Sequence, residues 1–295
     1  MLKILITGAS GFIGSEFISK FSNDFRIISY SRKTRKNNKK IKKNIINEKG
    51  TIEDNKIIKI IKKHSPDIVL HLANFGSMKQ CEENAESAFK TNVYGIFNVI
   101  MGCINTNSKL IFVSSREVYG KTKGKNSSET DPILPNNVLG ITKALAENLI
   151  IYANRKHALE YTILRPSNIY GINGEKFVIK TMLNSAMQKK KIFVDGGTQK
   201  LNLVHVNDVL DIIKLVIQKP KLSSGQIFNV GSNNNISVKR LALNIAKLVD
   251  KNVDIKFKKS RKNETQFYKP NIEKIEKIFE YTNWVNLNDG IKEML

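Results

Sequence analysis

Five hydrophobic runs punctuate the first two-thirds of the chain: LKILIT (2–7), RIISYS (26–31), DIVLHL (67–72), KLIFVS (109–114) and YTILRP (161–166). Runs without polar alternation predict strands buried on both faces, as in a parallel sheet covered by helices. Between them, helical periodicity runs over 12–21, 54–63, 82–104 and 138–155. In the last of these, Leu145, Leu149 and Tyr152 recur at the spacing of a core-facing stripe. Strand–helix alternation predicts an α/β fold with a doubly wound parallel sheet. Beyond about residue 170 the segments shorten and loops such as GINGE, DGGTQK and GSNNN interrupt them. Helices are expected at 176–189, 207–218 and 237–250, a strand at QIFNV (226–230), and a helical tail from 271.

The turn after the first strand, ITGASGFIGS (6–15), changes this outline into a binding site. Gly8 suits the tight turn, Gly11 lets backbone approach a diphosphate, and Gly14 permits close helix–sheet packing, with the helix N-terminus aimed at the anion. With Phe12 and Ile13 this turn is the expected cradle of a dinucleotide in a Rossmann-like domain. That domain is expected over 1–170, with later segments around 202–230 returning to it. Residues 171–295 are expected to form mainly a smaller mixed α/β substrate-binding region. The second strand ends in Ser31 and Arg32, where an NAD site usually carries a carboxylate for the adenosine ribose. Arg and Ser can bind a 2′-phosphate, so NADP is preferred, with NAD as the alternative.

Composition narrows the class. A chain of 295 residues, 41% hydrophobic, can build one large core or two joined ones. Two cysteines, Cys81 and Cys103, imply no disulfide framework. The apolar N-terminal run is short and turns Gly-rich, so it reads as a buried strand rather than a signal peptide. No run is long enough to span a bilayer, and a cytoplasmic protein without a membrane partner is expected. The formal net charge of +23 gathers in SRKTRKNNKKIKK (31–43) and KFKKSRK (256–262). The first run has no aromatic residue and the second only Phe257, short of the interleaving a nucleic-acid surface often shows, so compositional drift is favoured over a nucleic-acid partner. No metal-ligand spacing appears, and neither cysteine has a histidine near it in sequence.

The G-x-x-G-x-x-G spacing, with a series of ordered blocks, resembles the extended short-chain dehydrogenase/reductase family of nucleotide-sugar epimerases, 4,6-dehydratases and 4-ketoreductases. The blocks are DIVLHLAN (67–74), NAESAFKTNVYGIFNVI (84–100, with Asn92), VSSREVYG (113–120), GITKALAE (140–147), LRPSNIYG (164–171), LVHVNDV (203–209) and FNVGSNNNIS (228–237). The resemblance implies backbone contacts to the cofactor from Leu72, Ala73 and Asn74, and a nicotinamide lined by Pro166. It implies that Ser115 hydrogen-bonds the reacting sugar oxygen and that Lys143 holds the nicotinamide ribose. Asn168 and Arg261 would serve the nucleotide-sugar substrate, Arg261 at its diphosphate. His205, in LVHVNDV, is expected to pack. A homodimer through a four-helix bundle of 82–104 and 138–155 is also implied.

One position departs from the family. Its proton-carrying tyrosine stands four residues before the lysine, and here that residue is Leu139, which carries no exchangeable proton. General acid–base help is commonly worth about a hundredfold to ten-thousandfold. Glu117 could act as a base and Arg116 could stabilise an oxyanion, whereas Tyr119 is a second choice because its block uses that ring for packing. Two functions remain open: an NAD(P)-dependent nucleotide-sugar reductase or epimerase with an altered acid, most simply a 4-keto-sugar reductase, or a binding protein without redox turnover.

Overall fold

The computed structural model describes residues 1–33, 44–122, 126–174, 177–188, 191–249, 253–259 and 267–295. Arg261, most of the 31–43 run and the end of the 256–262 run lie outside the described residues. Among the described residues no helix is long and apolar enough to cross a membrane.

The chain forms two compact units, and the first contains residues 1–120, 133–165 and 213–228. It opens with β1 (Lys3–Thr7), α1 (Phe12–Phe21), β2 (Arg26–Ser31), β3 (Ile45–Lys49), α2 (Lys56–His64) and β4 (Ile68–His71). Next come α3 (Met78–Glu83), α4 (Ala85–Phe89), a π-helical turn over Lys90–Tyr94, α5 (Gly95–Ile104) and β5 (Lys109–Val113). After β6 (Asn126–Ser127), which belongs to the second unit, the chain returns through α6 (Val138–His157) and β7 (Tyr161–Pro166). The apolar runs become strands with every residue of β4, β5 and β7 buried. In α2, Ile57, Ile60 and Ile61 face the core while the lysines between and after them stay outside.

The second unit holds residues 121–132, 166–212 and 229–295. Its elements include β8 (Asn168–Tyr170), α7 (Val178–Met187), β9 (Ile192–Asp195) and β10 (Lys200–His205). From β10 the chain enters α8 (Val206–Gln218), which crosses back to the first unit and is followed there by α9 (Pro220–Ser223). β11 (Gln226–Val230), β12 (Asn235–Ser237), α10 (Val238–Val249), β13 (Ile255–Lys258), β14 (Lys269–Pro270), α11 (Glu273–Phe279) and α12 (Leu287–Lys292) complete the chain.

A seven-stranded sheet runs in the order β11-β7-β5-β4-β1-β2-β3. The pairs from β7 to β3 are all parallel, with Leu5 opposite both Ile28 and Val69. The chain winds outward from β1 in both directions, so the crevice between the ends of β1 and β4 is the switch point where such sheets bind ligands. The second unit has its own core of Ile179, Leu183, Ile192, Leu203, Leu241 and Ile245. There β8 pairs in parallel with β10, β10 antiparallel with β12, and β9 in parallel with β13.

Three differences from the sequence pattern have physical causes. β3 is an edge strand reading IINEK, half exposed, and its polar residues hide the apolar signal. The helix expected over 82–104 starts earlier, where Ser77 and Gln80 form a reciprocal capping box, and breaks at Asn84 (φ −144°, ψ 73°), whose side chain caps α4 by accepting from the Ser87 N–H. The stripe on α6 is only partly turned inward: Leu149 packs against the core, whereas Leu145 is 39% and Tyr152 62% exposed, and Thr142, Lys143, Ala146 and Glu147 are buried. The buried face of α6 combines small and apolar residues, Ala146, Ile150 and Ala153, with the polar Thr142, Lys143 and Glu147, so Leu145 and Tyr152 are left outside.

Candidate active site

β1 runs into Gly8, whose φ of +68° favours glycine; a Cβ there would stand 2.7 Å from the Ala73 nitrogen. The turn therefore lies directly against Leu72 and Ala73 at the end of β4. α1 begins on Gly11, which has no side chain to cap the helix N-terminus, and Phe12, Ile13 and Gly14 form its first turn. Next to this turn Asn74 donates from Nδ2 to the Gly76 carbonyl at 2.8 Å, and its buried Oδ1 has no partner. An uncapped helix start, a turn that only glycine fits and an acceptor without a donor all fit a dinucleotide carrying diphosphate and hydroxyl groups.

At the end of β2, Ser31 is buried and donates to the Lys33 carbonyl at 2.7 Å, while Arg32 is exposed. Arg32 and Lys90 line one cavity of about 510 Å³ with Glu53, Asp54, Phe75 and Thr91. Thr51 and Thr91 both donate to the Glu53 carboxylate.

The residues expected to carry the chemistry lie where β5 ends and α6 begins. Ser115 starts a 3-10 turn over Arg116–Tyr119, its Oγ accepting from the Glu117 N–H at 3.2 Å. Glu117 is buried, with Oε1 2.8 Å from Arg116 Nη2 and Oε2 accepting from Asn137 Nδ2 at 2.8 Å. Asn137 caps α6 by accepting from the Gly140 N–H at 2.9 Å, and Glu82 accepts from the Val138 N–H at 2.7 Å. A Cβ on Gly140 would stand 2.4 Å from the Glu117 carbonyl oxygen, so the first turn of α6 presses on the Ser115 turn.

Lys143 lies one turn further along α6. Its Nζ donates to the Val113 carbonyl at 3.0 Å and sits 4.8 Å from the centre of the Phe112 ring. Burial pushes its pKa down to about 8, against the pull of Glu147 and Cys81. His71 is held at 2.8 Å from Thr7 Oγ1, and burial, aided by Lys143, lowers its pKa to about 3. Leu139 is half-buried, and its carbonyl accepts from Thr142 Oγ1 at 2.9 Å.

A framework that the pattern did not single out holds these parts. Arg165 grips Glu147 through Nε at 3.1 Å and Nη2 at 2.6 Å, and Ser114 donates to the same carboxylate at 2.5 Å. Arg165 also donates to the Tyr119 hydroxyl at 2.8 Å and stacks 5.0 Å from that ring. Tyr119 is 3% exposed, a position that supports packing. Asn92 accepts from the Phe75 N–H at 2.8 Å and donates to Thr142 at 3.0 Å, tying the loop after β4 to α6. The signal for Glu147 was its spacing four residues after Lys143, which puts both on one helix face.

Pro166 and Asn168 belong to the second unit: Pro166 ends β7 buried, and Asn168 Nδ2 donates to the Asn202 carbonyl at 3.0 Å. His205 packs 5.0 Å from the Tyr170 ring, with Nε2 3.7 Å from Glu293.

Comparison with known proteins gives this arrangement a lineage. The chain is 28% identical over 314 residues to a trifunctional UDP-glucose 4,6-dehydratase/UDP-4-keto-6-deoxy-D-glucose 3,5-epimerase/UDP-4-keto-L-rhamnose-reductase of Arabidopsis thaliana, matching 99% of this chain and 46% of that protein. It thus spans less than half of that plant protein's length. It is 30% identical over 264 residues to dTDP-D-glucose 4,6-dehydratase of Homo sapiens, matching 84% of this chain and 74% of that one. The crystal structure of UDP-glucose 4-epimerase with UDP-glucose from Thermotoga maritima superposes with a TM-score of 0.92 at 25% identity, over 99% of this chain and 97% of that one. Residues 4–231 match the NAD dependent epimerase/dehydratase family, and the chain belongs to that extended short-chain dehydrogenase/reductase family.

Proposed function

We propose that this chain is an NADP-dependent enzyme acting on a nucleotide-activated sugar, a reductase of a 4-keto group whose proton carrier is not a tyrosine. The observation that carries this reading is the convergence of Ser115, Glu117 and Lys143 at the start of α6, beside an aliphatic Leu139. A bound nicotinamide supplies the hydride for the carbonyl carbon. Ser115 hydrogen-bonds the carbonyl oxygen and passes it the proton that completes the hydroxyl; solvent water, oriented by the Glu117 carboxylate, returns a proton to Ser115. Arg116 offers positive charge to the developing oxyanion. Lys143 holds the nicotinamide ribose, so its ammonium turns from the Val113 carbonyl to the cofactor on binding.

Arg32 and Lys90 support NADP, since both reach the cavity at the end of β2. NAD is the second reading, favoured by Glu53 and Asp54 in that cavity, which would accept ribose hydroxyls and repel a phosphate. Asn168 and Arg261 are proposed for the nucleotide sugar. We also read the chain as a homodimer. Phe89, Tyr94, Phe97, Ile141, Leu145 and Tyr152 are each at least 37% exposed, and a groove of about 500 Å³ runs between α4, the π-helical turn, α5 and Leu149. Single exposed apolar residues are ordinary, whereas a contiguous stripe marks an interface.

The test is turnover of a panel of 4-keto nucleotide sugars with NADPH, followed by loss of its absorbance and by product analysis. Turnover is expected with at least one of them. Cofactor binding without any turnover, unchanged in Leu139→Tyr, would leave a binding protein in place of an enzyme.

A further inference from the structure

We infer that Asn137 is a positioning residue for proton transfer: its side-chain amide aims the Glu117 carboxylate and locks it to the start of α6. The inference deepens the proposed function and rests on the role given there to Glu117.

Any of Ser, Thr, Asp or Asn caps a helix by offering one oxygen to the first-turn N–H groups. Among them only Asn also carries an N–H₂ donor on the same group. Here both ends of that group are used. Oδ1 accepts from the Gly140 N–H at 2.9 Å, and Nδ2 donates to Glu117 Oε2 at 2.8 Å, with a longer contact to Asn136 Oδ1 at 3.4 Å. The backbone donor on one side and the carboxylate on the other admit only this orientation of the amide.

The rest of the turn keeps the bridge short. Gly140 lets the helix start approach the Glu117 carbonyl to a distance that a Cβ would forbid. Arg116 Nη2 holds the other carboxylate oxygen at 2.8 Å. Glu117 is thus fixed from two sides, one arm local in sequence and one reaching 20 residues to the helix that carries Leu139 and Lys143. Its carboxylate keeps its bearing relative to Lys143 because Asn137 belongs to both.

The variants are Asn137→Ser, Glu117→Gln and their double, assayed as the full chain with NADPH and the sugar identified by the panel. Serine keeps the cap and removes the amide donor, so Tm is expected to stay close to that of the wild type. The expected kinetic result is a kcat lower by about tenfold to a hundredfold at unchanged KM. The double variant is expected to match Glu117→Gln alone, because Asn137 acts through that carboxylate. Asn137→Thr, which also caps and lacks the amide donor, should behave like Asn137→Ser and serves if the serine variant folds poorly.

A wild-type kcat in Asn137→Ser beside an impaired Glu117→Gln would reduce Asn137 to a cap and overturn the inference alone. Losses that multiply in the double variant would also overturn it, since the two residues would then act independently. Full activity in Glu117→Gln would remove the role of Glu117, and this inference with it, while leaving the Ser115 and Lys143 reading intact. Absence of turnover in the wild type would defeat the proposed function and the inference together.

Discussion

At the scale of single residues, the most consequential group is the buried ammonium of Lys143. Its hydrogen-bond acceptor in this structure is a backbone carbonyl, and burial holds its pKa at about 8 rather than 10.5. Below about pH 8 the lysine is charged both folded and unfolded, so the full cost of burying the charge opposes folding. Between about 8 and 10.5 the folded form is neutral first and the cost fades; above 10.5 it is gone. Lys143→Met is therefore expected to raise stability at pH 7 by on the order of 1–3 kcal/mol, and by much less at pH 10. Urea unfolding midpoints at the two pH values check this, and an equal gain at both would show that the charge is not the cause. The candidate residues at this site, and the expectation that Leu139 stands where the family carries its tyrosine, came from ordered blocks in the sequence. Their partners were not. The Arg165–Glu147 pair joins residues 18 apart and the Asn92–Thr142 bond residues 50 apart, and only folding brings such groups within hydrogen-bond reach.

At the scale of elements, periodicity placed a helix over 138–155, which is α6 (Val138–His157), but turned Leu145 and Tyr152 to the wrong face. A helix with an apolar stripe normally turns it inward. Here the inward face carries Thr142, Lys143 and Glu147, whose polar groups find partners on β5, β7 and the π-helical turn. Among the described residues the outward stripe of Ile141, Leu145 and Tyr152 is left uncovered, which is the physical case for the proposed dimer. Leu145→Glu with Tyr152→Asp is expected to convert a dimer into a monomer that keeps its helix content, as read by sedimentation velocity and circular dichroism. A wild-type chain that sediments as a monomer would remove this interface. The short strands β8, β9, β12 and β13 were not legible either, because three or four residues are too few to display a period.

At the scale of the whole molecule, a cofactor that binds only the native state stabilises it by mass action. At a hundredfold excess over Kd the gain is about 2.7 kcal/mol, a Tm rise of a few degrees for a chain of this size. NADP is expected to raise Tm more than NAD at equal concentration, measured by thermal unfolding. A larger shift with NAD would transfer the preference to Glu53 and Asp54. Taken alone, the sequence determines the doubly wound sheet, the dinucleotide turn and the family. Those features are written in local currency: unbroken apolar runs, glycine at fixed offsets, and ordered blocks. Only the tertiary structure decided which face of α6 is buried, that Arg165 grips Glu147 and stacks on Tyr119, and that Asn137 reaches Glu117. These outcomes depend on distances between residues far apart along the chain, and such distances exist only once the core has closed around them.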